Sequence, residues 1–435
     1  MRLTVVGAGY VGLTSALAFA AAGHDVVCAE RDPDRLARLR RREDPLGEPG
    51  MERLLQRTTA RFVASDAELD RARLVLVAVG TPMRHDGRAD LSQVYDACRA
   101  IAREARPLTV VAIRSTVPVG TCDRLQTDLL RHQLVVSNPE FLREGHALDD
   151  AFTPTRIVAG GPAQARPVIE ELYAAIGERS QPDAGGGERV PFLWMSSRSA
   201  ELAKYAANGY LATKLSFVNE VANLADVVGA DAEAVLGSMA LDPRIGAGHL
   251  RPGLGWGGSC FPKDTRALAA LAAGEGYDFI VLRAAIEQNN RQLAQFARMI
   301  ERETPAQGTI GLLGLAFKAG TSDMRESPAL ALARRLVRTG RRVNGYDPAV
   351  RSAPDGGVSV VAADAFAACA EADAVVVATD WPEFAALDLV ELRRVTRGDL
   401  LVDGRAVIDP GRAAAAGFRY RGVRAWAAPE RPGPR

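Results

Sequence analysis

Residues 255–264 read GWGGSCFPKD: a glycine-rich turn, a cysteine, a proline and two charges in one short run. Pro262 suits the first turn of a helix, where its fixed φ and missing N–H both fit. Cys260 would then sit beside unpaired amides at the positive end of the helix dipole, with the Lys263 charge nearby. Both effects favour thiolate, the nucleophilic form of sulfur. An isolated cysteine is more often a small buried residue. Here Gly253, Gly255, Gly257 and Gly258 let a ligand approach the backbone just ahead of it, and a nucleophile is the stronger reading.

Of 54 Lys and Arg residues, only Lys204, Lys214, Lys263 and Lys318 are lysine. Lysines kept in so arginine-rich a chain are candidates for work that needs a compact ammonium instead of a planar guanidinium. The plainer alternative is chance survival at scattered surface positions. Lys204 and Asn208 are four apart in a helical pattern and share a face, where together they would stabilise a developing alkoxide or thiohemiacetal oxygen. Asp264 is placed to accept a proton from Lys204 or a water, or to complement its own helix dipole. Glu140 and Glu144, in NPEFLREG, are candidates for acid–base work and water activation; the alternative is loop carboxylates paired with Arg143 or Arg156. Thr116 is a candidate to orient a water or touch a nicotinamide.

These groups need a scaffold. The 435 residues, 47% hydrophobic, favour two or three domains. A net charge of +1 offers no footprint for nucleic acid or an anionic membrane, and the basic cluster at Arg38, Arg40, Arg41 and Arg42 reads as a solvated helix face. Five scattered cysteines without a CxxC pair indicate neither a disulfide framework nor zinc, and no metal is expected. The first 23 residues mimic a secretory signal, but Gly7, Gly9 and Gly12 interrupt the apolar run. A strand, glycine turn and helix parse them better, and a soluble cytoplasmic protein is expected.

That opening segment reads as a dinucleotide-binding unit. LTVVGAGYVG runs a buried strand into Gly7-x-Gly9-x-x-Gly12, and DVVCAE ends a second strand at Glu30, the expected ribose-hydroxyl acceptor. Tyr10, Val11 and Arg35 belong to the same expected NAD site. Arg31 and Arg35 would suit the 2′-phosphate of NADP, but the Glu30 carboxylate would repel it. Thr81 and Pro82 in GTP, and Ser115 and Thr116 in STVP, follow strands and so lie where parallel sheets gather ligands. PDAGGGE at 182–188 reads as a surface loop. A long helix from Ser197 to about Gly229 then offers a natural dimer surface. GTIGLLGLAFK begins a second strand–turn–helix unit with Gly311-x-x-Gly314 ahead of Lys318, suited to a different phosphate ligand, and AAPERPGPR reads as a frayed tail. The expected fold is therefore α/β: two Rossmann-like doubly wound domains joined by a long central helix. The expected boundaries are 1–196 for NAD binding, 197–303 for the helical, dimerising part with Cys260, and 304–428 for the second Rossmann-like domain.

A nicotinamide beside a thiolate implies more than one hydride transfer. An alcohol oxidised to aldehyde is trapped on sulfur, oxidised again to a thioester, and released by water as a carboxylate. GAGYVG, STVPVGT, NPEFLREG, KYAANGYLATKLSFVNE, GWGGSCFPKD, GLAFKAGTSDMRESPA and DGR together resemble the ordered signature set of the UDP-glucose/GDP-mannose dehydrogenase family across nearly the whole chain. The resemblance implies NAD-dependent oxidation of UDP-glucose to UDP-glucuronate by a homodimer. It makes Cys260 the thioester nucleophile, with Lys204, Asn208 and Asp264 as polar partners and Glu140 and Thr116 assisting hydrolysis. It places Glu144, Lys263 and Arg325 near the cofactor and Phe141 and Leu142 along the sugar nucleotide. It assigns His249, Gly257, Phe317, Lys318 and Arg405 to the substrate and sends Arg244 to a neighbouring subunit's substrate. Trp256, His249 and Glu30 stand where the family commonly has Phe, another aromatic and Asp. A GDP-mannose enzyme is the nearest rival, disfavoured by Phe261. A non-catalytic nucleotide-sugar-binding regulator is more distant, because it predicts erosion at Cys260 or its partners.

Overall fold

The computed structural model describes residues 1–64, 68–177, 189–354 and 356–422. The loop at 182–188 and the tail at 427–435 lie outside the described residues. The chain folds into two compact units: Met1–Ala207 with Arg266–Gly276, and Asn208–Thr265 with Tyr277–Arg435.

The first unit is built on an eight-stranded sheet. Its strands are β1 (Arg2–Val6), β2 (Asp25–Glu30), β3 (Arg61–Ala64), β4 (Leu74–Val77), β5 (Val110–Ile113), β6 (Leu134–Ser137), β7 (Ile157–Gly160) and β8 (Phe192–Met195). They lie in the order β3-β2-β1-β4-β5-β6-β7-β8. Strands such as LVLV and VVAI are apolar at every position because helices cover both faces of the sheet. Alternation survives in which core each residue enters: Leu74 and Leu76 join one, Val75 and Val77 the other. The order reverses between β1 and β4, so the turns after these strands open a crevice at their carboxyl ends.

The far edge of this sheet departs from an all-parallel reading. β7 runs antiparallel to β6 at Ser137–Gly160, and β8, beyond the RIVAGG segment, runs parallel to β7. An apolar run encodes a strand but not its direction. Close packing at Gly160 and Gly161 sets this edge: a Cβ there would meet Ser196 O at 2.4 Å and Val135 O at 2.8 Å.

The second unit repeats the pattern with β9 (Thr309–Leu313), β10 (Arg342–Tyr346), β11 (Val360–Val361), β12 (Ala374–Val377), β13 (Leu400–Asp403) and β14 (Arg419–Gly422). All are parallel, in the order β11-β10-β9-β12-β13-β14. Both units are Rossmann-like.

A 32-residue helix, Ser197–Val228, contributes residues to both units. Tyr210, Phe217 and Leu224 recur along it at seven-residue intervals and are 67%, 55% and 60% exposed, an apolar stripe that the single chain leaves uncovered. Among the described residues no helix is long and apolar enough to cross a membrane.

Candidate active site

In the first unit, β1 enters a turn made almost wholly of backbone. Gly7 has φ +97°, and a Cβ there would lie 2.7 Å from Ala78 O; at Gly12 it would lie 1.9 Å from Gly7 O. Gly9, the residue that starts the helix Tyr10–Ala21, has open space around it. Main-chain amides at a helix start with no side chain in the way fit a dinucleotide pyrophosphate. Glu30, 4% exposed, closes the end of β2. Its Oε2 accepts from Ala8 N at 3.0 Å, and its Oε1 accepts from the Arg31 and Asp32 amides at 2.8 Å. Arg35 Nη1 pairs with Glu30 Oε2 at 3.2 Å, so this guanidinium is already engaged with a carboxylate, an arrangement that suits a ribose hydroxyl better than a 2′-phosphate.

Tyr10 is held by Glu48, which the sequence reading did not single out. The phenol donates to Glu48 Oε2 and accepts from Gly145 N at 2.6 Å. Glu48 also accepts from Gly145 N at 2.9 Å and Ala147 N at 2.7 Å. Burial, reinforced by Glu48, pushes the Tyr10 hydroxyl well above its ordinary pKa. Val11 follows in the same helix turn. Thr81 Oγ1 donates to Thr116 O at 3.0 Å, Pro82 O accepts from Asp90 N at 2.7 Å, and Ser115 Oγ donates to Val79 O at 2.7 Å. The Thr81–Thr116 and Ser115–Val79 bonds tie the turns after β4 and β5 together.

Beyond β6, Glu140 is buried and pairs with Lys204 Nζ at 3.0 Å. Its Oε2 accepts from Leu142 N at 2.5 Å. Burial would push its carboxyl up, but the Lys204 charge, the Leu142 N–H and the Arg114 charge outweigh it and hold the pKa below the ordinary value. Neither alternative partner takes Glu140: Arg143 pairs with Asp150 at 2.7 Å, and Arg156 stacks 3.7 Å over the Phe141 ring, which Lys204 also faces at 5.3 Å. Glu144 is half-buried in the same loop. Arg114 donates to Tyr173 Oη at 2.8 Å and Pro139 O at 3.2 Å. Glu201, one turn before Lys204, accepts from Gly120 N at 2.6 Å and Cys122 N at 2.8 Å, capping the helix after STVP. The sequence reading missed Arg114, Glu201 and Glu48 alike. Their only signal was a charged residue inside an otherwise apolar or glycine-rich stretch.

Cys260 belongs to the second unit, and the helix Phe261–Gly274 begins directly after it, with Pro262 in its first turn. Cys260 is partly exposed, and its sulfur lies 3.5 Å from Ser259 Oγ. The other four thiols are fully buried, and burial pushes Cys28 and Cys98 up to about 12. Only Cys260 is both accessible and at a helix start. Asp264, wholly buried, accepts from Asn208 Nδ2 at 2.7 Å and from Lys263 Nζ.

The turn before the cysteine is strung on amide side chains. Asn219 accepts from Gly253 N at 2.8 Å, Gln292 donates to Gly253 O at 2.9 Å, and Asn289 takes Trp256 N at 2.7 Å and donates to Trp256 O at 3.0 Å. Gly257 packs so closely that a Cβ would meet Glu326 O at 2.2 Å. Gly258 has φ +83°, and its Cβ would meet the Phe317 ring at 2.8 Å. The His249 ring lies 6.3 Å from Phe261.

Lys318 Nζ sits 5.5 Å over the Phe317 ring. Arg405 donates to Phe317 O at 3.1 Å and Ala378 O at 3.2 Å, bridging the turns after β9 and β12. Two predicted residues stand apart: Arg325 pairs with Asp323 and is 65% exposed, and Arg244 pairs with Asp242 and is 87% exposed. Both are turned to solvent in the single chain.

Three domain descriptions of one protein family match the chain in order. The NAD binding domain of the UDP-glucose/GDP-mannose dehydrogenase family matches residues 1–177, its central domain 198–291 and its UDP binding domain 311–410. The chain is 43% identical to the UDP-glucose 6-dehydrogenase of Pseudomonas aeruginosa, with 97% of each chain covered. Among solved structures it is similar to a UDP-glucose dehydrogenase of Pyrobaculum islandicum, with 36% identity, 98% of each chain covered and a TM-score of 0.87. It is also similar to a UDP-D-ManNAc dehydrogenase of Pyrococcus horikoshii, with 27% identity, 97% of this chain and 99% of that one covered, and a TM-score of 0.84.

Proposed function

The chain belongs to the UDP-glucose/GDP-mannose dehydrogenase family and is an NAD-dependent oxidoreductase; we propose that it oxidises UDP-glucose to UDP-glucuronate in two successive two-electron steps. The observation that carries this reading is Cys260, the one partly exposed thiol, at a helix start beside the Asn208–Asp264–Lys263 cluster. NAD, when bound, supplies the hydride acceptor for each oxidation. Gly7, Gly9, Gly12 and Glu30 would hold it, with Tyr10, Val11, Arg35, Thr81, Pro82, Ser115 and Thr116 around them, and Glu144, Lys263 and Arg325 are further proposed contacts.

The residues divide the chemistry as follows. The sugar's primary alcohol is first oxidised to the aldehyde, and its hydroxyl proton is released. The Cys260 thiolate forms a C–S bond to the aldehyde carbon, and the resulting alkoxide takes a proton as thiohemiacetal. Lys204 and Asn208, one turn apart on one helix, donate to that oxygen. The second oxidation leaves a thioester. Water, oriented by Glu140 and Thr116, loses a proton to the Glu140 carboxylate as it adds to the thioester carbon; the C–S bond breaks, sulfur leaves as thiolate, and the acid formed gives its remaining proton to solvent to leave a carboxylate. Asp264 holds Asn208 and Lys263 in place. Phe141, Leu142, His249, Gly257, Phe317, Lys318 and Arg405 are the proposed substrate contacts, with Arg244 serving a second copy. The stripe of Tyr210, Phe217 and Leu224 supports a homodimer, and the proposed division remains 1–196, 197–303 and 304–428. Its nucleotide-sugar substrate and NAD make the cytoplasm the proposed compartment.

Absorbance at 340 nm with NAD and limiting UDP-glucose tests the reading. Two NADH per sugar are expected; one would remove the thioester, and none would remove the assignment. A panel adding GDP-mannose and UDP-N-acetylhexosamines tests the substrate, because a UDP-D-ManNAc enzyme shares the fold.

A further inference from the structure

Three of the four lysines fall within the proposed chemistry, and Lys214 does not. Its ammonium, on the long helix, donates to Ile245 O at 2.9 Å, Gly246 O at 3.0 Å and Gly248 O at 2.6 Å. All three N–H bonds of the head group are thereby used, each on a main-chain carbonyl of one loop. The other side of this loop is nucleated by Asp242, whose backbone carbonyl accepts from Ile245 N and Gly246 N at 2.9 Å and whose Oδ1 takes Arg244 N at 2.9 Å.

The residue that follows this tripod is His249, at φ +62°, a left-handed conformation that a side chain with a Cβ adopts only at a cost. Such strain persists where the surroundings over-determine the backbone. The Gly248 carbonyl, pinned by Lys214, is part of the peptide that enters His249. The imidazole is thereby set against Phe261, the neighbour of Cys260.

We infer that Lys214 is a positioning residue for the sugar-nucleotide loop: by chelating the 245, 246 and 248 carbonyls it fixes the conformation of His249 and the base of the Arg244 arm. The inference rests on the proposed function, which makes His249 and Arg244 substrate contacts. A compact tetrahedral ammonium reaches three converging carbonyls, whereas a planar fork aims its donors into one plane. This gives a physical reason for the lysine at 214.

Lys214→Met keeps the stem and removes the charge and donors. It is expected to raise the KM for UDP-glucose about tenfold, with kcat and the KM for NAD within twofold of wild type. Lys214→Arg, which restores N–H donors in a poorer geometry, is expected to fall between the two. Independently of any substrate, hydrogen exchange on the free protein is expected to speed up at the amides of 245–249 in Lys214→Met. An unchanged KM for UDP-glucose, a parallel rise in the KM for NAD, or unchanged exchange at 245–249 would each overturn the inference. Failure of the wild-type chain to oxidise UDP-glucose would instead strike the functional reading, and the exchange result would then decide the loop's dependence on Lys214 alone.

Discussion

Lys204 Nζ lies 3.0 Å from Glu140 Oε1, and the two side chains are only 4% and 7% exposed. A cation and an anion this deeply buried hold each other: removing one strands the other without solvent. The pair fixes the NPEFLREG loop to the long helix within the first unit and leaves Lys204 anchored beside the Phe141 ring.

Glu140→Gln is therefore expected to destabilise the first unit by about 3–5 kcal/mol at neutral pH. The folded-state pKa of Glu140 is depressed, so its contribution is complete above the ordinary carboxyl value of about 4.3. It is lost as pH falls through the lower folded-state value. Urea unfolding, followed by tryptophan fluorescence, should show the gap between wild type and Glu140→Gln closing only in that acid window. A gap constant down to pH 3 would contradict the pairing.

Cys260→Ser keeps the size and hydrogen-bonding of the side chain but removes the thiolate. Acid formation is expected to drop by roughly 10³-fold or more, while NAD titrated by fluorescence quenching binds within twofold of wild type. Near-normal production of UDP-glucuronate would remove Cys260 from the chemistry.

Cofactor choice is expected to turn on Glu30. Glu30→Gln preserves shape, removes the charge that opposes a 2′-phosphate, and releases Arg35 from its ion pair. The ratio of kcat/KM for NADP to that for NAD should rise about tenfold, or ~1.4 kcal/mol. An unchanged ratio would show that discrimination lies elsewhere.

The exposed stripe of the long helix gives a prediction about assembly. Phe217→Glu combined with Leu224→Glu should convert a two-chain particle into single chains in sedimentation velocity, because the substituted positions are 55% and 60% exposed and carry none of the unit's own core. A wild-type chain that sediments alone at micromolar concentration would contradict the dimer.

Much of this architecture could be read from sequence because its determinants are local. The turn from Gly7 to Gly12, the strand ending at Glu30 and the helix opening after Cys260 each lie within a few residues of what defines them. Lys204 and Asn208 were also legible, since helical spacing alone puts them on one face. The charged residues that brace the surrounding loops were less so. Glu48 reaches Gly145 and Tyr10, Glu201 caps a helix that starts near residue 120, and Arg114 meets Tyr173. Such contacts are made by tertiary packing, and periodicity within one segment carries no trace of them. The reversal at β7 was hidden for a related reason: an apolar strand reads the same in either direction.

Glu48 has one more implication. Its two oxygens hold the Gly145 and Ala147 amides while also engaging the phenol that stands in the first turn of the helix after Gly9. The turn that would cradle a pyrophosphate and the loop bearing Glu140 and Glu144 thus share one buried brace. Loosening that brace is expected to weaken the proposed nucleotide cradle and the proposed water-activating arm together.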